Sequence, residues 1–461
     1  MATPIDAGPR ADPAAARTRD VTPVAPRWFA ALYALAVAAH VVGNPPGALD
    51  ARGLATLALV GGSVALVMGR SSRTLWAGVA VAQLLTAWLQ APVLGNHWLL
   101  MSAFSLAVLA AVPRPDPWAW LAPTLRGAFL VFYAFAAIAK LNTAFLDPAA
   151  SCAVFYTDQA LRSWGLGGFS SGGALAVLPI WSTLVIELFV PALLAVPRTR
   201  GAGVALAALF HFVISLDLLQ HFYDFTAVVL VGLAVFAGRP ATERIAAWVA
   251  GRSRAVLLIV GVWTVLAVLA VLPPTMTTVV ATRLGAFVLW LPVGGAVTWL
   301  LVRSAASPGS GRLRPPSLAA VALLALVVLN GLSPYVGVKT ATGFTMYANL
   351  ATVDGRANHL LVPKLPVLRD VEYVRVTGTD APHLQGYTGS RWLVPEVNLL
   401  DHLAAHPDAT VSYARGDGTV VSGTGAQLAR PLPEPVRRLV PLRSIDGSTP
   451  VGCQDVWLPA L

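Results

Sequence analysis

Phe129-Leu-Val-Phe-Tyr-Ala-Phe-Ala-Ala-Ile-Ala-Lys-Leu-Asn142 is an apolar helical stretch carrying a single ammonium, and Lys140 is one of only three lysines in the chain. A long helix of this composition belongs in hydrocarbon rather than in water. There an ammonium near the interface costs roughly 1–3 kcal/mol unless it snorkels, pairs or loses its proton, so an ionisable group inside such a helix is a functional hypothesis. The alternative is a lysine at a helix end that reaches for lipid headgroups.

The surrounding composition extends this reading to most of the chain. Over 461 residues, 56% are hydrophobic and 12% charged, and the mean hydropathy is +0.68. That is too apolar for soluble domains. Apolar runs of bilayer-spanning length start near Trp28, Leu54, Leu75, Trp98, Ala119, Ala174, Ala202, Phe222, Ala255, Val279 and Leu318, which predicts about eleven spans. The expected fold class is an all-α polytopic membrane protein with a small C-terminal α+β or mostly β domain.

A net charge of +10 would point to nucleic acid in a soluble protein, but the arginines follow another rule. Arg70 and Arg73 follow the second run, Arg114 the fourth, Arg198 and Arg200 the sixth, Arg239, Arg244, Arg252 and Arg254 the eighth, and Arg303, Arg312 and Arg314 the tenth. The odd-numbered exits carry few positive charges: Asp50 with Arg52, Gly95-Asn-His97, Asp147 with Asp158 and Arg162, Asp217 with Asp224, and Pro273-Pro-Thr-Met-Thr277. The positive-inside rule then predicts a multi-pass protein of the cell membrane, with a cytoplasmic N-terminus and an extracytoplasmic C-terminal domain. Nucleic acid is not an expected partner; the lipid bilayer is.

Residues 1–27, rich in Ala, Pro, Arg and Asp without apolar periodicity, read as a disordered cytoplasmic tail and not as a cleavable signal. Residues 28–333 form the transmembrane domain, and no internal repeat is visible in it. After Gly331-Leu-Ser-Pro334 charges, Gly and Pro return, so 334–461 reads as one small domain with its own core. Gly343-Phe-Thr-Met-Tyr-Ala-Asn-Leu350 and Val371-Glu-Tyr-Val-Arg-Val-Thr377 alternate as strands do. Thr410–Arg415 and Thr419–Val421 flank Asp417-Gly418, a hairpin signal. Pro395–Ala405 reads as a short amphipathic helix opened by proline.

The only two cysteines, Cys152 and Cys453, both fall on the predicted outer face. An oxidising compartment permits a disulfide between them, and two unrelated thiols are the other reading.

Polar residues concentrate in the fifth to seventh runs: Lys140 with Asn142, Glu187 within Ile186-Glu-Leu-Phe-Val-Pro191, and His211 within Leu209-Phe-His-Phe-Val213. Asp217-Leu-Leu-Gln-His-Phe-Tyr-Asp224 adds a cluster at the outer interface, and His40 and His97 add two imidazoles. Such a group in so apolar a chain predicts a cavity. His40 and His97 read as interhelical hydrogen-bond partners. Glu187 either caps backbone freed by Pro191 or pairs with a basic group. No metal site is expected, since the cysteines lack CxxC context and no histidine pair forms an HExxH motif. Gly165-Leu-Gly-Gly168 has no P-loop lysine, and Gly309-Ser-Gly311 lies in an arginine-rich loop rather than a nucleophile elbow.

Phe132-Tyr-Ala-Phe-Ala-Ala-Ile-Ala-Lys-Leu-Asn-Thr-Ala-Phe145 resembles the helix ending in the Lys-Leu-Asp/Asn signature of the HTTM (horizontally transferred transmembrane) family, the membrane proteins homologous to vitamin K-dependent gamma-carboxylase. Glu187 to Pro191, Phe210-His211 and Phe222-Tyr-Asp-Phe225 agree with the resemblance, which covers about residues 28 to 300. Phe344-Thr-Met-Tyr-Ala-Asn-Leu350 and Asp354-Gly-Arg-Ala-Asn-His359 are similar to segments of bacterial members. Ala139 stands where the animal enzymes have a second lysine, Asn142 replaces an aspartate, Phe145 stands where tryptophan is usual, and the C-terminal module is much shorter.

The resemblance implies that Lys140 is the general base that deprotonates a reduced quinone of the vitamin K type, with His211 as its catalytic partner. It also implies that Asn142, Glu187, Asn358 and His359 face the substrate, a lipid or a secreted peptide or protein. Burial disfavours a charged amine, which makes the chemistry compatible with an intramembrane lysine. The residue-based reading of Asn349, Asp354, Asn358 and His359 is a turn with capping asparagines. The competing function is a non-enzymatic membrane protein, either a carrier or a maturation or immunity factor for secreted peptides.

Overall fold

The computed structural model describes residues 23–166, 173–251, 275–303, 313–363, 371–448 and 450–453, with isolated positions between these ranges. Most of the expected N-terminal tail, most of the run expected from Ala255, and parts of the Gly165–Gly168 and Gly309–Gly311 loops lie outside the described residues.

Helices α1 (Arg27–Gly43), α2 (Ala51–Val67), α3 (Arg73–Gln90), α4 (Asn96–Ala111) and α5 (Pro117–Ile138) each pack against the next. Short polar side chains start three of them. Asp50 accepts from Gly53 N at 2.9 Å, Ser72 from Leu75 N at 3.1 Å, and Asp116 from Ala119 N at 3.1 Å, each relieving an amide the first turn leaves unpaired. The short α6 (Thr143–Leu146) and amphipathic α7 (Cys152–Ser163) follow, then α8 (Val177–Ala195), α9 (Arg200–Ile214), α10 (Phe222–Phe236), α11 (Arg239–Gly251), α12 (Met276–Val302) and α13 (Leu318–Leu332).

At the centre stands α10, buried on every side from Thr226 to Phe236 and packed against α1, α4, α5, α9 and α12. A helix apolar all round needs such a position. Gly232 lets the Phe129 ring approach so closely that an added Cβ would lie 2.1 Å from it. The outer helices keep an apolar exterior: Trp181 and Phe189 on α8, Leu284 and Val288 on α12, and Leu326 and Leu329 on α13 are exposed. So extended an apolar surface marks a lipid or partner contact.

Among the described residues three helices are long and apolar enough to cross a bilayer: Pro117–Ile138, Ala174–Ala195 and Val279–Val302. This is far fewer than the eleven the apolar runs predict. The runs are broken where polar caps and prolines stop the helix. Asn44-Pro45-Pro46 ends α1 after 17 residues, and Asp50 starts α2 only at Ala51. The helices α1, α2, α4, α9, α10 and α13 are apolar but shorter.

The C-terminal region forms an antiparallel sheet of β1 (Tyr373–Thr379), β2 (Trp392–Pro395), β3 (Thr410–Ala414), β4 (Val420–Thr424) and β5 (Ile445–Asp446), in the order β4-β3-β1-β2-β5. Helix α14 (Glu396–Ala404) lays Leu399, Leu400 and Leu403 against Val374, Val376, Val394, Val411 and Tyr413. The β3–β4 hairpin turns at Asp417-Gly418, where Gly418 has φ +85° and Asp417 accepts from Thr419 N at 2.8 Å. The small α15 (Gly425–Leu428) and α16 (Glu434–Leu439) complete the module.

Gly343–Leu350, expected as a strand, is irregular. Thr342, Phe344, Tyr347 and Asn349 all adopt left-handed backbone, φ between 50° and 60°, which no strand can accommodate. Each costs on the order of 1–3 kcal/mol unless the surroundings hold it. Here they do: Asn96 accepts from Phe344 N at 2.7 Å, and Asn330 donates to Thr342 O at 3.0 Å.

Two of the joints that tie the sheet module to the helices centre on Asn142 and on the cysteines. Asn142 donates to Ala139 O and Ala348 O and accepts from Phe145 N and Asn358 Nδ2, while backbone bonds pair Thr143 N with Asn358 O and Leu360 N with Leu141 O. Cys152 and Cys453 are disulfide-bonded, their Cα atoms 4.7 Å apart. Proteolysis between them should therefore leave two fragments that migrate together on non-reducing electrophoresis and separate with reductant. Labelling of both thiols in intact oxidised protein would contradict the bond.

Candidate functional site

Helix α5 ends at Ile138, and Lys140 lies in the turn beyond it, its Nζ donating to Ala136 O at 3.2 Å. The α8 helix brings Glu187 to the same place, with Oε2 2.7 Å from Lys140 Nζ. Both side chains are buried. A lone charge in so apolar a setting would cost several kcal/mol, so the pair is the condition for either group being there. Glu187, four residues before Pro191, is thus engaged with a basic group rather than with the backbone freed by the proline.

His211 comes from α9. Its Nε2 lies 3.0 Å from the Tyr133 hydroxyl of α5, and its Nδ1 has no hydrogen-bond partner among the described residues. Rings surround it: Tyr133, Phe210 and Phe225 each meet it edge-on.

Lys140, Glu187 and His211 line one cavity of about 490 Å³. Its other walls are largely aromatic and aliphatic, among them Tyr156, Phe222, Phe225 and Met346. Helix α7 covers it, fixed to the turn after α9 by Gln159 Nε2 donating to Asp217 Oδ2 at 3.0 Å and Trp164 Nε1 donating to Leu216 O at 2.8 Å. This is an apolar chamber with a few convergent polar groups, the usual form of a small-molecule site.

Asn142, Asn358 and His359 do not line this cavity. Asn142 and Asn358 are bound into the joint described above, with Asn358 Nδ2 also donating to Asn349 O at 2.8 Å. His359 Nε2 donates to Ile138 O at 2.9 Å, and its Nδ1 accepts from Leu361 N and Val362 N. Every polar atom of that imidazole is engaged with backbone, so these three residues hold the two regions together. Asn349 likewise bridges Cys152 N, Ala150 O and Val451 O.

A second polar group lies on the far side of Phe222 and Phe225, which border both chambers. Asp224 Oδ2 accepts from Asn44 Nδ2 at 2.8 Å and lies 3.1 Å from His97 Nε2, while His40 Nε2 lies 3.0 Å from Gln90 Oε1 and its ring stacks on Trp98. His40 and His97 thus bond between helices, and Asp224, which the sequence places only at an interface, is the acceptor shared by His97 and Asn44, with His40 Nδ1 3.6 Å away. Beyond them Lys339, beside Thr342 Oγ1 at 3.2 Å, is pushed down to about 8 by burial. Arg443, donating to Leu350 O, is pushed down to about 10 for the same reason.

Comparison with protein-family models, with curated proteins and with solved structures gives no match.

The Lys140–Glu187 pair makes a quantitative prediction. Removing one partner, as in Lys140→Met or Glu187→Leu, should destabilise the detergent-solubilised protein by about 3–5 kcal/mol, whereas the double variant should recover most of the loss. Thermal unfolding of the three variants measures this. Additive losses in the double variant would show that the groups do not interact.

Proposed function

We propose that this chain is a multi-pass protein of the cell membrane, crossing about eleven times, with a cytoplasmic N-terminus and the sheet module on the opposite side. The apolar exterior of the helices and the alternation of arginine-rich turns support this arrangement. The short apolar helix α10 is enclosed by other helices and its terminal Val235 O is bonded by Arg126, so its backbone is satisfied within the protein. Reporter fusions after position 254 and after Leu461 should report opposite sides of the membrane. The same side for both would exclude the arrangement.

We further propose that the chain is an HTTM-type enzyme of the carboxylase class. The single observation that carries this is the Lys140–Glu187 pair at 2.7 Å on the wall of an apolar cavity that also holds His211. The volume, about 490 Å³, lies within the range of small-ligand sites. Its aromatic lining with polar groups at one wall fits a flat amphipathic molecule such as a reduced quinone. When bound, such a quinone supplies an acidic ring hydroxyl and redox chemistry with oxygen.

The residues of the chain then handle protons. Transfer of a proton from Lys140 Nζ to Glu187 Oε2 leaves both groups uncharged, which low dielectric favours, and the free amine accepts the proton of an acidic hydroxyl. Glu187 thereby acts as the proton store for Lys140. His211, oriented by the Tyr133 hydroxyl, would hold the hydroxyl end of such a ligand through Nδ1. The second substrate in this reading is a secreted peptide or protein, as for the carboxylase.

The competing reading is a non-enzymatic membrane protein, a carrier or a maturation or immunity factor for secreted peptides, in which Lys140 and Glu187 only pack, and one experiment separates the two. Purified protein in lipid nanodiscs, given a reduced naphthoquinone, should consume oxygen. Lys140→Arg keeps the ion pair but cannot release a proton, so it should lose at least about 100-fold of that rate, the lower range for general-base catalysis. The Lys140→Met/Glu187→Leu variant should be folded and inactive. No consumption by the wild-type protein, or full activity in both variants, would defeat the enzyme reading.

A further inference from the structure

Three of the chain's eight histidines meet on the C-terminal module, far from the cavity in sequence: His383, His402 and His406. Their ring centroids are 4.3 to 4.6 Å apart, and one nitrogen from each lies within 4.8 Å of the others. No carboxylate belongs to the group. Asp401, the adjacent acid, is held by Arg437 at 2.8 Å and by Leu432 N.

Each imidazole sits on anchored backbone. Leu403, next to His402, and Leu384, next to His383, are both wholly buried in the core of the module. His402 lies in the last turn of α14 and His406 two residues past its end, where Ala405 keeps right-handed helical backbone and the two ring centroids come within 4.4 Å. His406 Nδ1 donates to His402 O at 3.0 Å, so the proton of that ring is on Nδ1 and Nε2 carries a lone pair. A carbonyl-bound Nδ1–H is the support that commonly orients a metal-ligating imidazole. His402 Nε2 is buried without a hydrogen-bond partner among the described residues. His383 is exposed and leaves the group open to solvent.

We propose that His383, His402 and His406 bind one zinc-class divalent cation per chain through three imidazole nitrogens, with a fourth coordination position open to solvent. A tetrahedral zinc site holds its nitrogens about 3.3 Å apart, inside the observed envelope. Neutral nitrogen ligands without oxygen partners select the zinc, copper and nickel class over magnesium or calcium. Because all three ligands are uncharged, the cation keeps its full charge, and the open position takes water or an anionic group such as a carboxylate. The arrangement with three protein ligands and one free position is that of reactive rather than purely structural zinc sites.

The test uses the full chain, purified in detergent without a polyhistidine tag and titrated with Zn²⁺ alone against a chromophoric chelator. Wild-type protein should withdraw one equivalent of zinc and show a higher Tm with zinc than without. His383→Gln, at an exposed position that does not threaten folding, should weaken binding by more than about 100-fold, the upper end of what losing a mere outer-shell partner costs. It should also abolish the zinc-dependent rise in Tm. His402→Gln should do the same. Absence of stoichiometric binding in the wild type would overturn the proposal. So would wild-type affinity in His383→Gln, which would move the metal to another group such as His40, His97 and Asp224.

Discussion

Every charge buried among these helices has to be answered inside the protein, and the bundle is arranged around that constraint. Lys140 meets Glu187, and Asp224 is shared by Asn44 and His97. Arg126 of α5 and Arg200 of α9 donate to Val235 O and Leu194 O, carbonyls at the C-terminal ends of α10 and α8 that have no partner within their own helices. An arginine there satisfies its own donors and complements the negative end of the helix dipole. These contacts link α5, α8, α9 and α10, the helices that frame the cavity. Loss of any one partner leaves an uncompensated charge in an apolar interior, which is worse than having neither.

The cavity is a product of both halves of the chain. Met346 and Tyr347 reach it from the irregular segment before the sheet, and Tyr347 packs edge-on against Tyr156 of α7 and Phe222 of α10. Their placement depends on left-handed backbone at Tyr347 and Asn349. That conformation persists because Asn349 is fixed by Cys152 N, Ala150 O and Val451 O, next to the disulfide. The bond between Cys152 and Cys453 thus does more than restrain the denatured chain. It holds the cover helix α7 and the wall segment in one rigid corner.

Much of this was legible in residues. Composition alone requires an apolar helical body, and Asp417-Gly418 between alternating runs gives the β3–β4 hairpin, because side-chain period and turn chemistry are local properties. The grouping of Lys140, Glu187 and His211 follows from the scarcity of ionisable side chains in three neighbouring runs. What failed depends on tertiary context. The alternation in Gly343–Leu350 mimics a strand, yet side-chain bonds from Asn96 and Asn330 hold it in turns. Among the described residues only three helices are long and apolar enough to cross a bilayer, because hydropathy does not see breaks such as Asn44-Pro45-Pro46 that shorten a helix within an apolar run. The resemblance turns Asn358 and His359 toward a substrate, while the residues themselves read as a turn with caps, and in the joint Asn358 bonds Asn142 and Asn349 O and His359 bonds backbone.

The histidine triad shows the complementary failure. His402 and His406 carry a visible signal, two imidazoles four apart at the end of the Pro395–Ala405 segment read as a helix, but a pair without the glutamate of HExxH matches no motif. The third nitrogen is supplied by His383 from the turn after β1. That turn reaches α14 only because Leu384 and Leu403 share the core on which the sheet and helix close. Spacing in sequence reports ligands that one element presents. A site assembled by the packing of two elements is visible only once the core that brings them together is known, and here that core is the small apolar cluster of the C-terminal module.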